Sequence, residues 1–442
     1  MTTSAVRPDA ATWTIDPAGP LHGDVTVRGS KNAVTKHMVA AVLGQGPSTI
    51  SNCPEIGEVE TVAGILRALG CEVEAGGDRV TVDAGQLATN RVPLSYGGVN
   101  RIPILLVGPL LHRTGEAFVP LVGGDRIGAR PVDFHVQALE AMGAEVTHAP
   151  DGLEAKATRL HGARIQLPYP SVGATETVLL SAVLAEGRTV LDNSATEPEV
   201  IELALFLQRM GARLELRPDR RFVIEGVESL TGASHGLAGD RMEAFSYLAA
   251  GLATGGRVAV HGCAQGRLVT AISTLHRMGA SFEITDDYVA VEADGPLRPS
   301  VVQTDTHPGF MTDWQSPLVV LFTQCEGMSV LHETVYEGRF PYVVALQEMG
   351  AEIALYDACL GGMHCRFRES NAMHSAVVRG PSSLFGADIT VPDIRGGFAY
   401  VIAAAAAEGT TVLSDVYHLE RGYHRPLEAF ADLGLGITRS TR

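Results

Sequence analysis

The chain has 442 residues, 45% hydrophobic and 6% aromatic, with a formal net charge of −16. That length suits two or three ordinary domains, and the acidic balance argues against nucleic acid as a partner, because binding there depends on neutralising phosphates. No stretch is a charge-free apolar span of membrane length, the N-terminal segment MTTSAVRPDAATWTIDPAGP lacks the apolar centre of a signal peptide, and six scattered cysteines suit a reduced, cytoplasmic protein.

Two signatures alternate along the chain. In the first, a small-residue helix ends at a Gly and a short β-branched strand follows. It reads GQGPSTISN ending at Asn52, RTGEAFVP at Pro120, AEGRTVLDN at Asn193, TGGRVAVHG at Gly262, CEGMSVLHE at Glu333 and AEGTTVLSD at Asp415. About 24 residues after each such Gly comes the second: RALGCEVE, EAMGAEVT, QRMGARLE, HRMGASFE, QEMGAEI and ADLGLGIT. Their glycines are Gly70, Gly143, Gly211, Gly279, Gly350 and Gly434. The period is roughly 70 residues, so each copy can be a small α/β subdomain rather than one solenoid layer.

The elements follow in chain order. A first strand is expected around Asp24 to Arg28, ahead of the first helix and placed to pair with the second half. The third copy spells out the unit. Leu179 to Leu184 reads as a buried helix, Gly187 as its cap and Thr189 to Leu191 as a strand. A second helix, Glu199 to Met210, shows Ile201, Leu203, Leu205, Phe206 and Met210 at helical spacing and stops at Gly211, with a strand at once after it. Three copies end near the polar, Gly-rich ESLTGASHGLAGD (228 to 240). The expected domains are therefore 31–235, with a lid loop around 121–130, and 1–30 plus 236–442. A cleft between two such halves is where ligands usually bind and where closure excludes water.

Three segments depart from the repeat. In RGSKNAVTKHM, Lys31 and Asn32 stand at a helix start, where backbone N–H groups can hold an anion. GSKN alone is a weak signal, and an exposed lysine is its default reading. In VPLVGGDRIGARPVDFH, Asp125 sits in a Gly-rich loop, with Arg130 and Asp133 at the following helix start. Alone this is a loop with a salt bridge, yet it has what a mobile lid carrying an acid needs. Arg101, Asp313, Arg339, Asp393, Arg395 and Arg421 each lie near a Gly or Pro; singly they read as surface residues, although Arg is preferred for bidentate phosphate or carboxylate recognition. Cys359, His364 and Cys365 have metal-binding side chains, but their spacing fits no usual zinc pattern, so a Gly-rich surface loop without metal is expected.

GSKN, GARPVD, PSVGATE, EPE, HPGFMTDWQ, HETVYEGRF and HLERGYH, in this order, resemble the UDP-N-acetylglucosamine enolpyruvyl transferases, the family that opens bacterial peptidoglycan synthesis. The resemblance runs from about Asp16 to the end of the chain. It implies two pseudo-threefold inverse α/β barrel domains built from six repeats. The sister family acting on shikimate 3-phosphate shares that fold but fits GARPVD and PSVGATE less well.

The resemblance also implies a chemistry. A general acid protonates the methylene carbon of phosphoenolpyruvate, C2 becomes cationic, the sugar 3-hydroxyl adds and phosphate leaves, with no metal or organic cofactor. Lys31, Asn32, Arg130, Arg395 and Arg421 would hold phosphoenolpyruvate. Asp393 would stabilise the cation, Asp313 would be the base for the acceptor hydroxyl and Arg339 a supporting charge. The nucleotide sugar would meet Arg130, Pro131, Val132, Asp133 and Phe134 together with Tyr169, Pro170, Ser171 and Val172. Asn32, Arg101 and Val335 would complete the acceptor site. The family usually carries Cys in the lid, where this chain has Asp125; some members carry Asp. That departure implies Asp125 as the acid and insensitivity to fosfomycin, an epoxide that alkylates the thiol. Phe245 stands where a small residue near the acceptor is common, and 355–374 is an insertion relative to shorter members. Two further readings are carried: enolpyruvyl transfer to another uridine nucleotide such as UMP in nucleoside-antibiotic synthesis, and an inactive nucleotide-binding paralogue, which the presence of Lys31, Asp313, Arg395 and Arg421 disfavours.

Overall fold

The computed structural model describes residues 11–125, 127–362 and 365–441. Two compact units form. The first comprises Gly29–Asp125 and Arg130–Leu237; the second gathers residues 11–28, 127–129 and 238–441. Each has its own apolar core.

One sheet pattern recurs three times in each unit. An edge strand runs parallel to the strand after the first-signature glycine. That strand is antiparallel to a third, and the third to a fourth. In the first unit the sets are Ser234–Gly236 with Ser48–Ser51, Arg79–Asp83 and Glu72–Gly76, and Arg164–Gln166 with Arg188–Asp192, Arg221–Glu225 and Arg213–Arg217. Between them lie Glu116–Pro120, Gly152–Lys156 and Glu145–Ala149, with a lone bridge from Arg91 to Phe118 as the edge. In the second unit they are His22–Thr26 with Arg257–His261, Tyr288–Ala293 and Ala280–Ile284, and Val301–Gln303 with Gly327–His332, Ser375–Gly380 and Glu352–Tyr356. The last is Asp388–Thr390 with Thr411–Ser414, Ala11–Ile15 and Ile437–Thr441.

Chain ends complete the sheets. Ala11–Ile15 fills the middle of the last sheet, with Trp13 opposite Leu413 and Arg439. Trp13 is fully buried there, which ties the N-terminal strand down. His22–Thr26 supplies an edge more than two hundred positions before its partner Arg257–His261. Ser234–Gly236 supplies the edge for Ser48–Ser51 from later in the chain.

The sheets surround helices that are apolar all round. In the second unit every residue of Arg241–Ala253, Gln315–Phe322 and Ile394–Ala405 is buried. Lys31–Ala41, Val107–Thr114 and Val172–Ala182 hold the matching places in the repeats of the first unit. A helix without a polar face must be enclosed. The second helix of each copy, such as Gly57–Leu69 and Pro198–Arg209, keeps one polar face.

The repeated glycines are explained by backbone. Gly46, Gly115, Gly187, Gly255, Gly327 and Gly409 in the first signature all have positive φ, as do the six glycines of the second. Both positions close a turn into a strand with a left-handed residue.

Several expectations need correction. The strand ahead of the first helix is His22–Thr26, not Asp24 to Arg28, and Ala11–Ile15 precedes it. The third-copy helix is Val172–Ala182, and Gly187 lies beyond it, turning the chain into Arg188–Asp192. Leu205 is 49% exposed on its helix, because the buried stripe runs through Val200, Leu203, Phe206 and Leu207. The Gly-rich stretch 228–240 contains the strands Leu230–Thr231 and Ser234–Gly236. Phe245 is fully buried and packs on Phe310 and Trp314, with ring centroids 5.7 and 5.3 Å away. It is a core residue because its helix has no exposed side.

Two equivalent glycines separate backbone strain from crowding. Gly70 has φ +102° and Gly211 φ +108°. A Cβ on Gly211 meets nothing within 4 Å, whereas one on Gly70 would lie 2.6 Å from the Ala88 nitrogen. Gly211→Ala is expected to cost about 1–2 kcal/mol, the left-handed penalty alone, and Gly70→Ala measurably more. Urea unfolding of both variants checks this; equal losses would remove the crowding argument.

Candidate functional site

In the second unit the starts of the three enclosed helices are joined by hydrogen bonds. Asp240 caps Arg241–Ala253, its Oδ1 accepting from the Met242 and Glu243 amides at 2.7 and 3.3 Å. Asp393 caps Ile394–Ala405 in the same way, accepting from Arg395 and Gly396 at 2.8 and 3.0 Å. The short turn Thr312–Trp314 leads into Gln315–Phe322. Trp314 Nε1 donates to the Arg241 carbonyl and Ser316 Oγ to the Arg395 carbonyl, both at 3.0 Å. Capping carboxylates and the helix macrodipole suit each other at these ends.

Asp313 sits at this junction. Arg339 Nη2 donates to its Oδ1 at 2.8 Å, and Arg395 Nη2 to its Oδ2 at 3.4 Å. Arg395 also donates to Tyr423 Oη at 2.9 Å. Arg339, Asp393, Arg395 and Arg421 are 4, 6, 4 and 8% exposed. They are therefore not the surface residues that their positions suggested singly. A buried guanidinium must be paired, and Asp313 serves two of them.

Glu333 and Glu243 carry structure that the sequence did not single out. Glu333 Oε1 accepts from the Val335 and Tyr336 amides at 2.7 and 3.1 Å, and its Oε2 accepts from Thr312 Oγ1 at 2.9 Å. One carboxylate thus fixes both the Val335 segment and the turn carrying Asp313. Its burial pushes its pKa up, opposed by these hydrogen bonds and by Arg339. Glu243 accepts from the His424 amide at 2.8 Å, and burial raises its pKa well above the ordinary carboxylate range. The only signal for either was its place inside a conspicuous motif, HETVYEGRF or GDRMEAFSY.

Residues 127–129 of the expected lid pack in this unit. The Gly338 amide donates to the Ile127 carbonyl at 3.2 Å, and the Ala129 amide to Glu337 Oε1 at 2.7 Å. Gly128 has φ +132°, and a Cβ there would meet the Glu337 carboxylate at 2.7 Å. Only glycine fits this contact without rearrangement.

The first unit holds the other expected residues. Ser30 caps Lys31–Ala41, its Oγ accepting from the Asn32 amide at 3.2 Å, and leaves Lys31 and Asn32 half-buried. Arg101 donates to the Arg130 and Pro131 carbonyls at 2.7 and 3.4 Å, fixing the start of the 130–134 segment. A Cβ on Gly124 would lie 3.2 Å from Arg130 Nη1 and 3.4 Å from Arg101 Cγ. Half-buried Asp125 therefore follows a residue packed against both arginines. Arg126, which would be its partner were this only a surface salt bridge, lies outside the described residues.

The two expected nucleotide segments are neighbours. Val132 and Asp133 start Asp133–Ala141, and Ser171 caps Val172–Ala182 through the Ala174 amide at 3.4 Å. His135 Nδ1 and Thr177 Oγ1 join these helices at 2.7 Å. Burial lowers the His135 pKa to about 3, so its ring is neutral. Arg130, Pro131, Val132, Asp133 and Phe134 thus approach Tyr169, Pro170, Ser171 and Val172 through a fixed helix pair.

Cys359 and Cys365 do not form the expected surface loop. Cys365 is buried, and both lie with His332 and His374 in a group whose ligand atoms are all within 4.8 Å of one another. His364 lies outside the described residues. All six cysteines are free thiols. Among the described residues no helix is long and apolar enough to cross a membrane.

Glu176 of the PSVGATE motif gives a pH test. Full burial raises its pKa from 4.5 to about 7, partly offset by Lys36. The folded state then holds this proton more tightly than the unfolded state, so stability falls as pH rises from about 4.5 to about 7. Glu176→Gln should remove that slope, and its gain in Tm over the parent should be larger at pH 8 than at pH 5. Parallel Tm curves for the two proteins would overturn the assignment.

Comparison with known proteins agrees along the whole chain. A family model described as EPSP synthase (3-phosphoshikimate 1-carboxyvinyltransferase) matches residues 15–430. UDP-N-acetylglucosamine 1-carboxyvinyltransferase of Protochlamydia amoebophila is 42% identical over 435 residues, covering 95% of this chain and 92% of that protein. The enzyme of the same name from Chlamydia pneumoniae is 41% identical, with 95 and 93% covered. Among solved structures, the enolpyruvyl transferase NikO from Streptomyces tendae superposes with a TM-score of 0.86 at 25% identity, covering 98% of this chain and 100% of that one. An EPSP synthase from Acinetobacter baumannii gives 0.72 at 18% identity, with 98 and 100% covered, a likeness of fold. The chain belongs to the enolpyruvyl (carboxyvinyl) transferase family and has its fold of two pseudo-threefold inverse α/β barrels.

Proposed function

We propose that this chain transfers the enolpyruvyl group of phosphoenolpyruvate to the 3-hydroxyl of UDP-N-acetylglucosamine with release of phosphate, the opening step of peptidoglycan synthesis, and that it acts in the cytoplasm. The observation that carries this reading is the full-length likeness to UDP-N-acetylglucosamine 1-carboxyvinyltransferases at about two-fifths identity. NikO is less similar in sequence, which ranks transfer to another uridine nucleotide second.

The placement of the charged residues supports the roles assigned to them. Lys31 and Asn32 start one enclosed helix, Arg395 is the second residue of another, and Ser171 caps a third. Helix starts favour anions through free N–H groups and the macrodipole. In this reading Lys31, Asn32, Arg130, Arg395 and Arg421 bind phosphoenolpyruvate. Arg101, Val335 and the segments 130–134 and 169–172 bind the nucleotide sugar.

The chemistry proceeds in two halves. Asp125 donates a proton to the methylene carbon of phosphoenolpyruvate, and positive charge develops at C2 beside Asp393. The acceptor oxygen bonds to C2 while its proton passes to Asp313, which Arg339 and Arg395 hold in position. The Asp125 carboxylate then takes a proton back from the methyl group, the C2–O bond breaks with phosphate keeping the electron pair and taking the proton from Asp313, and the enol ether remains. A carboxylate paired with two arginines is a weak base at rest; it becomes adequate because the hydroxyl proton grows acidic as its oxygen bonds to the cation. Fixed arginines and N–H groups stabilise the developing charges without reorganisation. No cofactor enters this scheme.

Phosphate release with phosphoenolpyruvate and a panel of uridine nucleotides tests the reading, with UDP-N-acetylglucosamine expected to give the highest kcat/KM. A preference for UMP would move the acceptor assignment to the second reading. Asp313→Ala is expected to lower kcat by about 100-fold or more, the usual scale for loss of a general base. Turnover within about threefold of the parent would sink that role.

The lid residue gives a sharper pair. Asp125→Asn should abolish most turnover, because an amide has no proton to give at this position. Asp125→Cys should retain turnover and become sensitive to fosfomycin, whereas the parent should be insensitive, since a carboxylate attacks an epoxide far more slowly than a thiolate. Normal turnover by Asp125→Asn would remove both the acid and the lid from the mechanism.

A further inference from the structure

Away from this chemistry, the loop between the strands Glu352–Tyr356 and Ser375–Gly380 brings two cysteines and a histidine against the end of a third strand, Gly327–His332. The side chains are Cys359, Cys365, His374 and His332. All four ligand atoms lie within 4.8 Å of one another, and all but Cys359 are buried. We propose that these four residues form a tetrahedral site for a borderline-soft divalent cation, zinc by its ligand chemistry, which fastens the 357–374 loop to the sheet.

The donor set is the first argument. Two thiolates and two imidazoles are a usual complement of a closed structural zinc site, whereas oxygen-seeking cations avoid it. Tetrahedral bonds of about 2.0–2.3 Å put the ligand atoms roughly 3.3–3.8 Å apart. Cys359 Sγ and His374 Nε2 already stand 3.4 Å apart.

The surrounding hydrogen bonds are the second argument. His374 Nδ1 is 2.7 Å from the Ala372 carbonyl, so that nitrogen carries the proton and Nε2 offers its lone pair to the centre of the group. This is the usual arrangement behind a metal-bound histidine. The Phe367 amide donates to Cys365 Sγ at 3.3 Å, which suits a sulfur bearing negative charge.

The third argument is an unsatisfied atom. His332 is fully buried, yet among the described residues its Nε2 has no hydrogen-bond partner. Enclosing a polar ring nitrogen without a partner is costly. A cation bonded there removes that cost and shifts the ring proton to Nδ1. Nδ1 now takes the Gly361 amide at 2.5 Å. Gln303 Oε1 is close by as the alternative acceptor: a Cβ on Gly361 would lie 2.2 Å from it and 2.7 Å from Nδ1. The ring would then donate to Gln303 instead of accepting from Gly361.

The spacing hid this site. Cys359 and Cys365 match no familiar motif with each other, and the histidines come from a distant strand and from the far end of the loop. Backbone pairing of His332 with Ser375 sets His332 and His374 side by side, their rings 5.2 Å apart.

The test uses the full chain, purified with reductant and without chelator, then given zinc chloride and desalted. Elemental analysis is expected to find about one zinc per chain, and the Cys359→Ser/Cys365→Ser double variant to lose it. A chelator should lower the Tm of the parent and leave that of the double variant unchanged. Cobalt loaded into the parent should give the intense visible bands of a tetrahedral centre and a thiolate charge-transfer band, a readout that stands even if the double variant does not fold. Less than about a tenth of a zinc per chain, or octahedral cobalt without thiolate bands, would overturn the proposal. So would full zinc retention by the double variant. An intact mass about 2 Da low with no metal bound would overturn it in favour of a Cys359–Cys365 disulfide.

Discussion

Complete enclosure of the central helices is the constraint from which the rest follows. A helix such as Ile394–Ala405, buried on every side, can keep polar groups only at its ends. Its first residues must therefore satisfy both free backbone N–H groups and any charged side chain there. Asp393 does this for its own helix and Asp240 for Arg241–Ala253. The fold thus gathers charge at helix starts before any chemistry is considered. In the first unit Ser30 and Ser171 do the same with neutral hydroxyls, and Lys31 and Asn32 follow.

Once charge is confined to these places, its pairing becomes decisive. Arg339 and Arg395 are almost wholly buried and both turn to Asp313. Removing that carboxylate would leave two guanidiniums short of a partner, so the residue proposed as base also organises its surroundings. Glu333 links the Asp313 turn to Val335 through Thr312. If this is the site, as proposed, a substrate group would meet donors that are already oriented, which is the condition for electrostatic stabilisation of a transition state.

The same threefold economy tolerates variation at its edges. The 357–374 loop and the 127–129 segment are both held by local polar contacts, not by the apolar core. The Ala129 amide on the Glu337 carboxylate and the Gly338 amide on the Ile127 carbonyl fix one. Sulfur and imidazole gather at the other. Such segments can change in length or ligand without disturbing the enclosed helices, because their buried side chains lie outside the two apolar cores.

The repeat was legible in the sequence because it is local. A left-handed turn needs glycine, and an enclosed helix needs small apolar residues; both leave marks at fixed spacing. The expected charged residues were legible only through their motifs, since burial of Arg339, Arg395 and Arg421 depends on what encloses them. Leu205 and Phe245 show the limit in opposite directions: one apolar side chain faces outward, while the other sits in the core. Strand pairing was beyond local reading. That His22–Thr26 joins Arg257–His261, that Ser234–Gly236 joins Ser48–Ser51 and that Ala11–Ile15 enters the last sheet are long-range choices. The grouping of His332 with Cys359, Cys365 and His374 is another. Composition and periodicity settled which small units form, because backbone conformation and helix burial act over a few residues. The tertiary structure alone decided which distant side chains meet, because the register between strands far apart in the chain brings them together.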